Sequence, residues 1–417
     1  MYDDPSASSA QAQSSPEPAP AGALVADRRP TAAARVALGI DVSRDRLDAV
    51  LRWIDPSPEA NAAGARRPLG SRKVYNSSQG IGALLSWSVS RARCDLGELR
   101  VVAEATAGYH LQLARIAHAR GCDVVIANPR RVHQYGRAIG RLTKSDLVDA
   151  DTLARFGALE PRFHWQPPPP AIQELDALIR RRQALHRAAR REEARLQMTP
   201  PEDSRRPPLI GRSIDSAIRF HADAIEEITT GLDALFQRFP QLARERQLLL
   251  SIPGVGDETA NVLLYLLRSK AFTCAREPAA LCGLVPIHHH SGTDCDSPGR
   301  TSTQYDRRYR AALHLPTRVA IRHNPQLRAL YERQLAAGKN FRQATLAVMH
   351  KLVRIAFGVL RNQKTYVASW EQLTASERTN LPLVYVRKKR VQTNARRLTR
   401  LRRAARTPEF VETDGPS

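Results

Sequence analysis

Two aspartates three residues apart, Asp146 and Asp149, stand in the stretch Gly140-Arg-Leu-Thr-Lys144-Ser-Asp146-Leu-Val-Asp149-Ala-Asp151. Leu142, Leu147, Val148, Leu153 and Phe156 recur around them at helical spacing, which predicts a helix over 140–156 with one side buried. On that helix the two carboxylates share a face, about one turn apart. Carboxylates that close repel unless a cation sits between them or one of them holds a proton. A lone DxxD is ordinarily a solvated acidic face, so its company decides. Asp41 closes the apolar run Arg35-Val-Ala-Leu-Gly-Ile-Asp41, and Glu104 closes Leu99-Arg-Val-Val-Ala-Glu104. Acids at the ends of two neighbouring strands, facing two more on a helix, converge on a small space. Such a set is stable chiefly around divalent cations, and oxygen-only ligands select Mg²⁺ or Mn²⁺. Two ions about 4 Å apart would clamp both oxygens of a phosphodiester during a displacement.

The elements that must position these acids are legible from the apolar pattern. Residues 1–34 are Ala, Ser, Pro and Gln with little to bury, and read as a disordered tail. Strands are expected at 35–42, 45–54, 73–75, 99–104 and 122–127, with helices at 81–90, 109–120 and 130–141. That alternation argues for a mixed sheet flanked by helices over 35–160. The helix from Arg130 and Arg131 onward is basic, and those two arginines are candidate nucleic-acid contacts. Pro161–Pro170 (PRFHWQPPPP) is a stiff linker. Two long amphipathic helices follow, interrupted by TPPEDSRRPP at 199–208, and read as a coiled-coil arm within 161–245 and an oligomer contact. Helix-only sequence is expected over 246–366. The tail 367–417 includes Arg387–Arg406, which is dense in Lys and Arg and holds no acid, an electrostatic hook for phosphates.

Global composition fits that reading. The 417 residues are 42% hydrophobic and 25% charged, and 64 Lys+Arg against 41 Asp+Glu leave a net charge of +23. An excess of that size attracts polyanions, and nucleic acid is the default partner. No run of eighteen apolar residues exists, so no membrane span is expected. The N-terminus has neither a basic n-region nor an apolar h-region, and five scattered cysteines suit a reducing cytosol. A cytoplasmic, nucleoid-associated protein is expected.

In the second half, Leu250-Ser-Ile-Pro253-Gly254-Val-Gly256-Asp-Glu-Thr-Ala260 reads as a helix-hairpin-helix. Pro253 ends one helix, Gly254 and Gly256 permit a tight turn, and the next helix presents free N–H groups that can hold a phosphate. His288-His289-His290 with Cys282 and Cys295 could bind zinc, but the spacing matches no standard ligand set.

The stretches GIDVSRDRLDAV, VVAEATAGYH and VVIANPRRVHQYGRAIGRLTKSDLVDADTLARF resemble the N-terminal half of IS110-family transposases. So do LxSIPGVGxxTA, LxGLxPxxxxSG and AIRHNPxLRxxYERxxAxGK their C-terminal half, and the resemblance covers about residues 36–365. It implies a RuvC-like, ribonuclease-H-like domain whose DEDD tetrad falls on Asp41, Glu104, Asp146 and Asp149. Lys144 also matches, within reach of a scissile phosphate. It further implies a C-terminal serine nucleophile at Ser291, a transient phosphoserine link to DNA, and a non-coding guide RNA from the element's flank. A homo-oligomer, dimer or tetramer, is expected with it. Lys339, which ends the last matched segment, and Arg300, in the stretch after Ser291, join the candidate phosphate contacts. After Ser291 the family's usual Gly/Arg-rich stretch is replaced by Thr293-Asp294-Cys295-Asp296-Ser297-Pro298, whose aspartates repel DNA. A water-using, metal-dependent junction nuclease and a decayed nucleic-acid-binding scaffold are the alternatives.

Overall fold

Val36–Val42 reads VALGIDV and is buried along almost its whole length, and a strand apolar on both sides must be covered on both faces. This strand, β1, is the centre of the first domain. The computed structural model describes residues 34–54, 68–105, 108–141, 143, 145–159, 164–198, 208–291, 295–301 and 306–368. β2 (Arg46–Trp53) and β3 (Gly70–Tyr75) add to β1 antiparallel on one side. β4 (Leu99–Glu104) and β5 (Asp123–Ala127) add parallel on the other, giving the order β3-β2-β1-β4-β5. The parallel crossovers run through α1 (Ser78–Ala92) and α2 (His110–Ala119). Ile81, Leu84, Leu85, Leu113 and Ala117 of these helices meet Leu38, Ile40, Val101 and Ala103 on one face. The opposite face carries α3 (Pro129–Ala138) and α4 (Asp146–Leu159), with Val132, Leu153 and Phe156 against Val102 and Val125. The expected mixed sheet between helices is present.

The helix expected over 140–156 begins only at Asp146. Gly140 has φ +75°, a left-handed conformation that closes α3. The Ser145 hydroxyl then accepts the Val148 N–H at 3.3 Å, an N-cap that starts a new helix. Leu147 is 48% exposed rather than buried, and Leu142 lies outside the described residues. What α4 buries is a small-residue face, with Ala150, Ala154 and Gly157 beside Leu153.

The linker covers the edge strand: the Trp165 N–H donates to Val124 O at 2.6 Å, which pairs an otherwise open edge. α5 (Pro170–Met198) and α6 (Pro208–Arg238) then form an antiparallel hairpin, with Gly231 against Leu178. Its root is not free-standing. Ile172, Leu175, Ile179, Leu232, Leu235 and Phe236 share one core with α7 (Pro240–Leu250), α8 (Asp257–Arg268), α9 (Arg276–Leu281), α10 (Arg307–His323), α11 (Pro325–Ala336) and α12 (Phe341–Asn362). The root of the hairpin and the helices that follow it therefore pack as one body. α12 is long and apolar enough to cross a bilayer, yet Val348, Leu352, Val353 and Ala356 are the centre of this core.

The second domain is not all helical. Pro286–Ser291 (β6) and Cys295–Thr301 (β7) pair as an antiparallel ribbon. PIHHHS and CDSPGRT contain no apolar residues at three- and four-residue spacing, so no helix had a face to bury.

Candidate active site: carboxylates at the end of the sheet

Ile40 pairs with Ala103 in the parallel register of β1 and β4. The next residues, Asp41 and Glu104, therefore end adjacent strands about 4.8 Å apart. They point to the same face. A Cβ on Gly39 would lie 2.1 Å from Ala150 O and 2.2 Å from Ala154 N, and one on Gly157 would lie 2.2 Å from Val102 Cγ2. Gly39 and Val102 thus face α4, and with a period of two so do Asp41 and Glu104. The glycines let the helix lie almost on the backbone of β1 and β4. Its N-terminus points toward the carboxyl ends of those strands, with Asp146 and Asp149 in its first turn. There the helix dipole favours negative charge.

Electrostatics join three of the four acids. Burial, then the carboxylates of Asp146 and Asp149, then Asp48, push the Asp41 carboxyl above the ordinary carboxylate range, while a hydrogen bond with the Val42 backbone opposes them. Asp48 went unnoticed in the sequence, where it is one polar residue inside an alternating strand. The register places it opposite Asp41, and Lys73 opposite it in turn, with Lys73 Nζ 3.0 Å from Asp48 Oδ1. Lys73, Asp48, Asp41 and Glu104 thus stand side by side across four strands. Only this register could have revealed Asp48.

Beside the row lies a cationic hub. Buried Asp151 accepts from Arg52 Nη1 at 2.5 Å, Arg141 Nη2 at 2.5 Å and Arg155 Nε at 3.0 Å. It ties β2, α4 and the segment that precedes α4 together. Arg131 lies over the Phe156 ring at 5.8 Å and so packs against α4, whereas Arg130 is exposed on α3. Lys144 lies outside the described residues.

The IPGVG turn of the second domain packs against α10. Gly254 has φ +99°, and a Cβ there would meet Ala320 of α10 at 2.6 Å. The start of α8, flanked by half-buried Pro253 and Gly256, already carries acids: Asp257 binds Arg246 and Glu258 binds Arg182, both at 2.7 Å. Ser291 ends β6 opposite Cys295, at the far end of the ribbon from the Pro286–Thr301 pair, about 17 Å away along the strand. Arg300 pairs with Ile287 in the same ribbon; its side chain and those of Ser291, His288–His290 and Cys295 lie outside the described residues. Lys339 is exposed and donates to Gln334 Oε1. Cys282 is buried in the helical core, which pushes its thiol up to about 12. Among the described residues no three His, Cys, Asp or Glu side chains are grouped closely enough to hold a metal ion as they stand.

Two family models together match more than half of the chain. A transposase model of the IS110 DEDD type matches residues 38–199, and a model described as the IS116/IS110/IS902 transposase family matches residues 246–332. The chain belongs to the IS110 family of transposases. The "Pilin gene-inverting protein" of Moraxella lacunata is 28% identical over 331 residues, spanning 79% of this transposase and 97% of that protein. An IS900 insertion-element protein of Mycobacterium paratuberculosis is 30% identical over 136 residues, 32% of this chain and 34% of its own. Among solved structures, Thermus thermophilus RuvC matches over 30% of this chain and 93% of its own, at 20% identity and a TM-score of 0.23. The transposase is a DNA-cleaving and rejoining enzyme, and its acids sit where the sheet delivers them to a common face.

Proposed function

We propose that this transposase exchanges DNA strands with a metal-assisted carboxylate site and a serine nucleophile. The observation that carries the reading is geometric: Asp41 and Glu104 end adjacent parallel strands on the face that α4 covers, and Asp146 and Asp149 stand in the first turn of that helix, close enough that their charges help raise the proton affinity of Asp41. Crowding like charges together is costly, and a divalent cation relieves that cost. The donor set suits one: every candidate ligand is a carboxylate oxygen, the chemistry that Mg²⁺ and Mn²⁺ take. Asp41, Glu104, Asp146 and Asp149 would hold it, with Asp48 adding negative charge beside them. Bound there, the ion would stabilise charge on the scissile phosphate.

Ser291 supplies the covalent chemistry in this reading. Its Oγ bonds to phosphorus, the bond from phosphorus to the departing 3′ oxygen breaks, and that oxygen takes up a proton as the seryl proton is lost. The attack of another strand's 3′-hydroxyl reverses the step, so the phosphodiester is conserved without an external energy source. Arg130, Lys144, Arg300 and Lys339 would neutralise backbone charge. A flanking non-coding RNA that guides site choice, and a homo-oligomer that brings two DNA segments together, complete the proposal; inversion, the activity named for the Moraxella relatives, is the same strand exchange within one molecule.

Ser291→Ala is expected to abolish strand exchange and the covalent protein–DNA adduct while DNA binding stays within about twofold, and Asp146→Ala to abolish exchange through loss of Mg²⁺ binding. Cleavage by the serine variant with no adduct in the wild type would instead establish the water-using nuclease.

A further inference from the structure

We infer that α10 is a docking surface for the backbone of duplex DNA. Its sequence, RRYRAALHLPTRVAIRH, contains no acid. Tyr309, Leu313, Thr317 and Ala320 face the core. Arg307, His314, Arg318 and Arg322 are exposed on the opposite side. At 100° per residue these four fall within an arc of about 80°, and they extend about 22 Å along the helix. Among the described residues none of the four has an acidic partner; Asp306, the nearest acid in sequence, is the N-cap of the helix and lies 3.6 Å from Arg308.

The helix is held firmly from behind. Gly254 of the IPGVG turn leaves room for Ala320, so this turn serves as the platform for α10. Arg308 binds Asp176 of α5 at 2.7 Å and lies over the Tyr265 and Tyr309 rings at 5.2 and 5.0 Å. Arg310 Nη1 donates to Thr301 Oγ1 at 3.1 Å, tying α10 to the ribbon that carries Ser291. A row of three guanidinium groups and an imidazole, on a helix tied to that ribbon, suits a long, regular array of phosphates. About 22 Å of duplex axis presents about 13 phosphate charges. The inference deepens the proposed function by naming the surface on which its DNA lies, and it rests on that reading for the choice of DNA over RNA.

The test compares Arg318→Gln/Arg322→Gln with Arg93→Gln/Arg120→Gln, two exposed arginines that precede β4 and β5, at the end of those strands away from the carboxylates. Binding of full-length protein to DNA and RNA duplexes of about 30 base pairs is measured against salt concentration. Loss of two phosphate contacts should lower the slope of log K against log salt by about 1.8, which near 0.15 M salt amounts to about 30-fold in affinity. The control pair should leave both close to wild type. Equal losses in the two doubles, no loss on α10, or a loss confined to RNA would overturn the inference. At saturating DNA the α10 double should still form the Ser291 adduct. If no adduct forms even in wild type, the serine reading fails while the salt comparison still stands on its own.

Discussion

At the scale of single residues, Asp41 carries its charge at a cost. Its folded pKa lies above its ordinary value of 3.8, so the folded state binds that proton more tightly than the unfolded one. The group therefore costs nothing below the unfolded pKa, and its penalty grows as pH rises through the folded pKa. Asp41→Asn should then melt at a higher temperature than wild type at pH 7 without added metal, and show no such gain below pH 4. Thermal melts with and without Mg²⁺ check this, because the ion should protect wild type and leave the variant unchanged. Asp151 is the opposite case, a buried carboxylate that holds three guanidinium groups. Asp151→Ala removes the buried carboxylate that Arg52, Arg141 and Arg155 share, and breaking a buried pair of this kind costs about 3–5 kcal/mol; urea unfolding should show it. The tetrad acids were legible because each ends an apolar run or repeats on a helix. Asp48 and Asp151 were not, since their roles depend on which strand lies opposite them.

At the scale of elements, α4 is placed by what its neighbours lack. The Cβ of Gly39→Ala would stand 2.1 Å from a carbonyl oxygen of that helix, too close for anything but movement of the helix itself. The variant should lose about 3 kcal/mol of stability. Its remaining folded fraction should bind Mg²⁺ more weakly, because Asp146 and Asp149 retreat from Asp41; calorimetric titration reads that directly. Sequence spacing identified α4 but began it six residues early, since a capping serine after a left-handed glycine is a local event that apolar period does not see. The β6–β7 ribbon escaped notice for a related reason. Its histidines and aspartates carry no strand alternation, and pairing across the turn, not pattern, makes the strands. The IPGVG turn was recognised as a hairpin, but the side that faces α10 is a tertiary fact.

At the scale of the whole molecule, the two chemical groups of the proposed reaction belong to different cores. The acids sit on the sheet domain, whereas Ser291 sits on a ribbon attached to the helical domain. The root of the arm is welded into the helical core by Ile172, Leu175, Leu235 and Phe236. Its ties to the sheet domain include a polar contact, Arg115 with Gln173 at 2.6 Å. Beyond its root the arm exposes Met198, Leu209, Ile210 and Phe220, at 84%, 69%, 49% and 61%, more apolar surface than a solvated hairpin needs. A second copy packed along such an arm would bring one subunit's ribbon toward the other's acids. Mixing Ser291→Ala with Asp146→Ala subunits should then restore strand exchange that neither shows alone, since a mixed dimer contains one site with both groups intact. Restored exchange that depends on total protein concentration establishes a shared site. A mixture as inactive as its components would mean that each subunit completes its own, with the ribbon folding back onto the sheet that precedes it in the same chain.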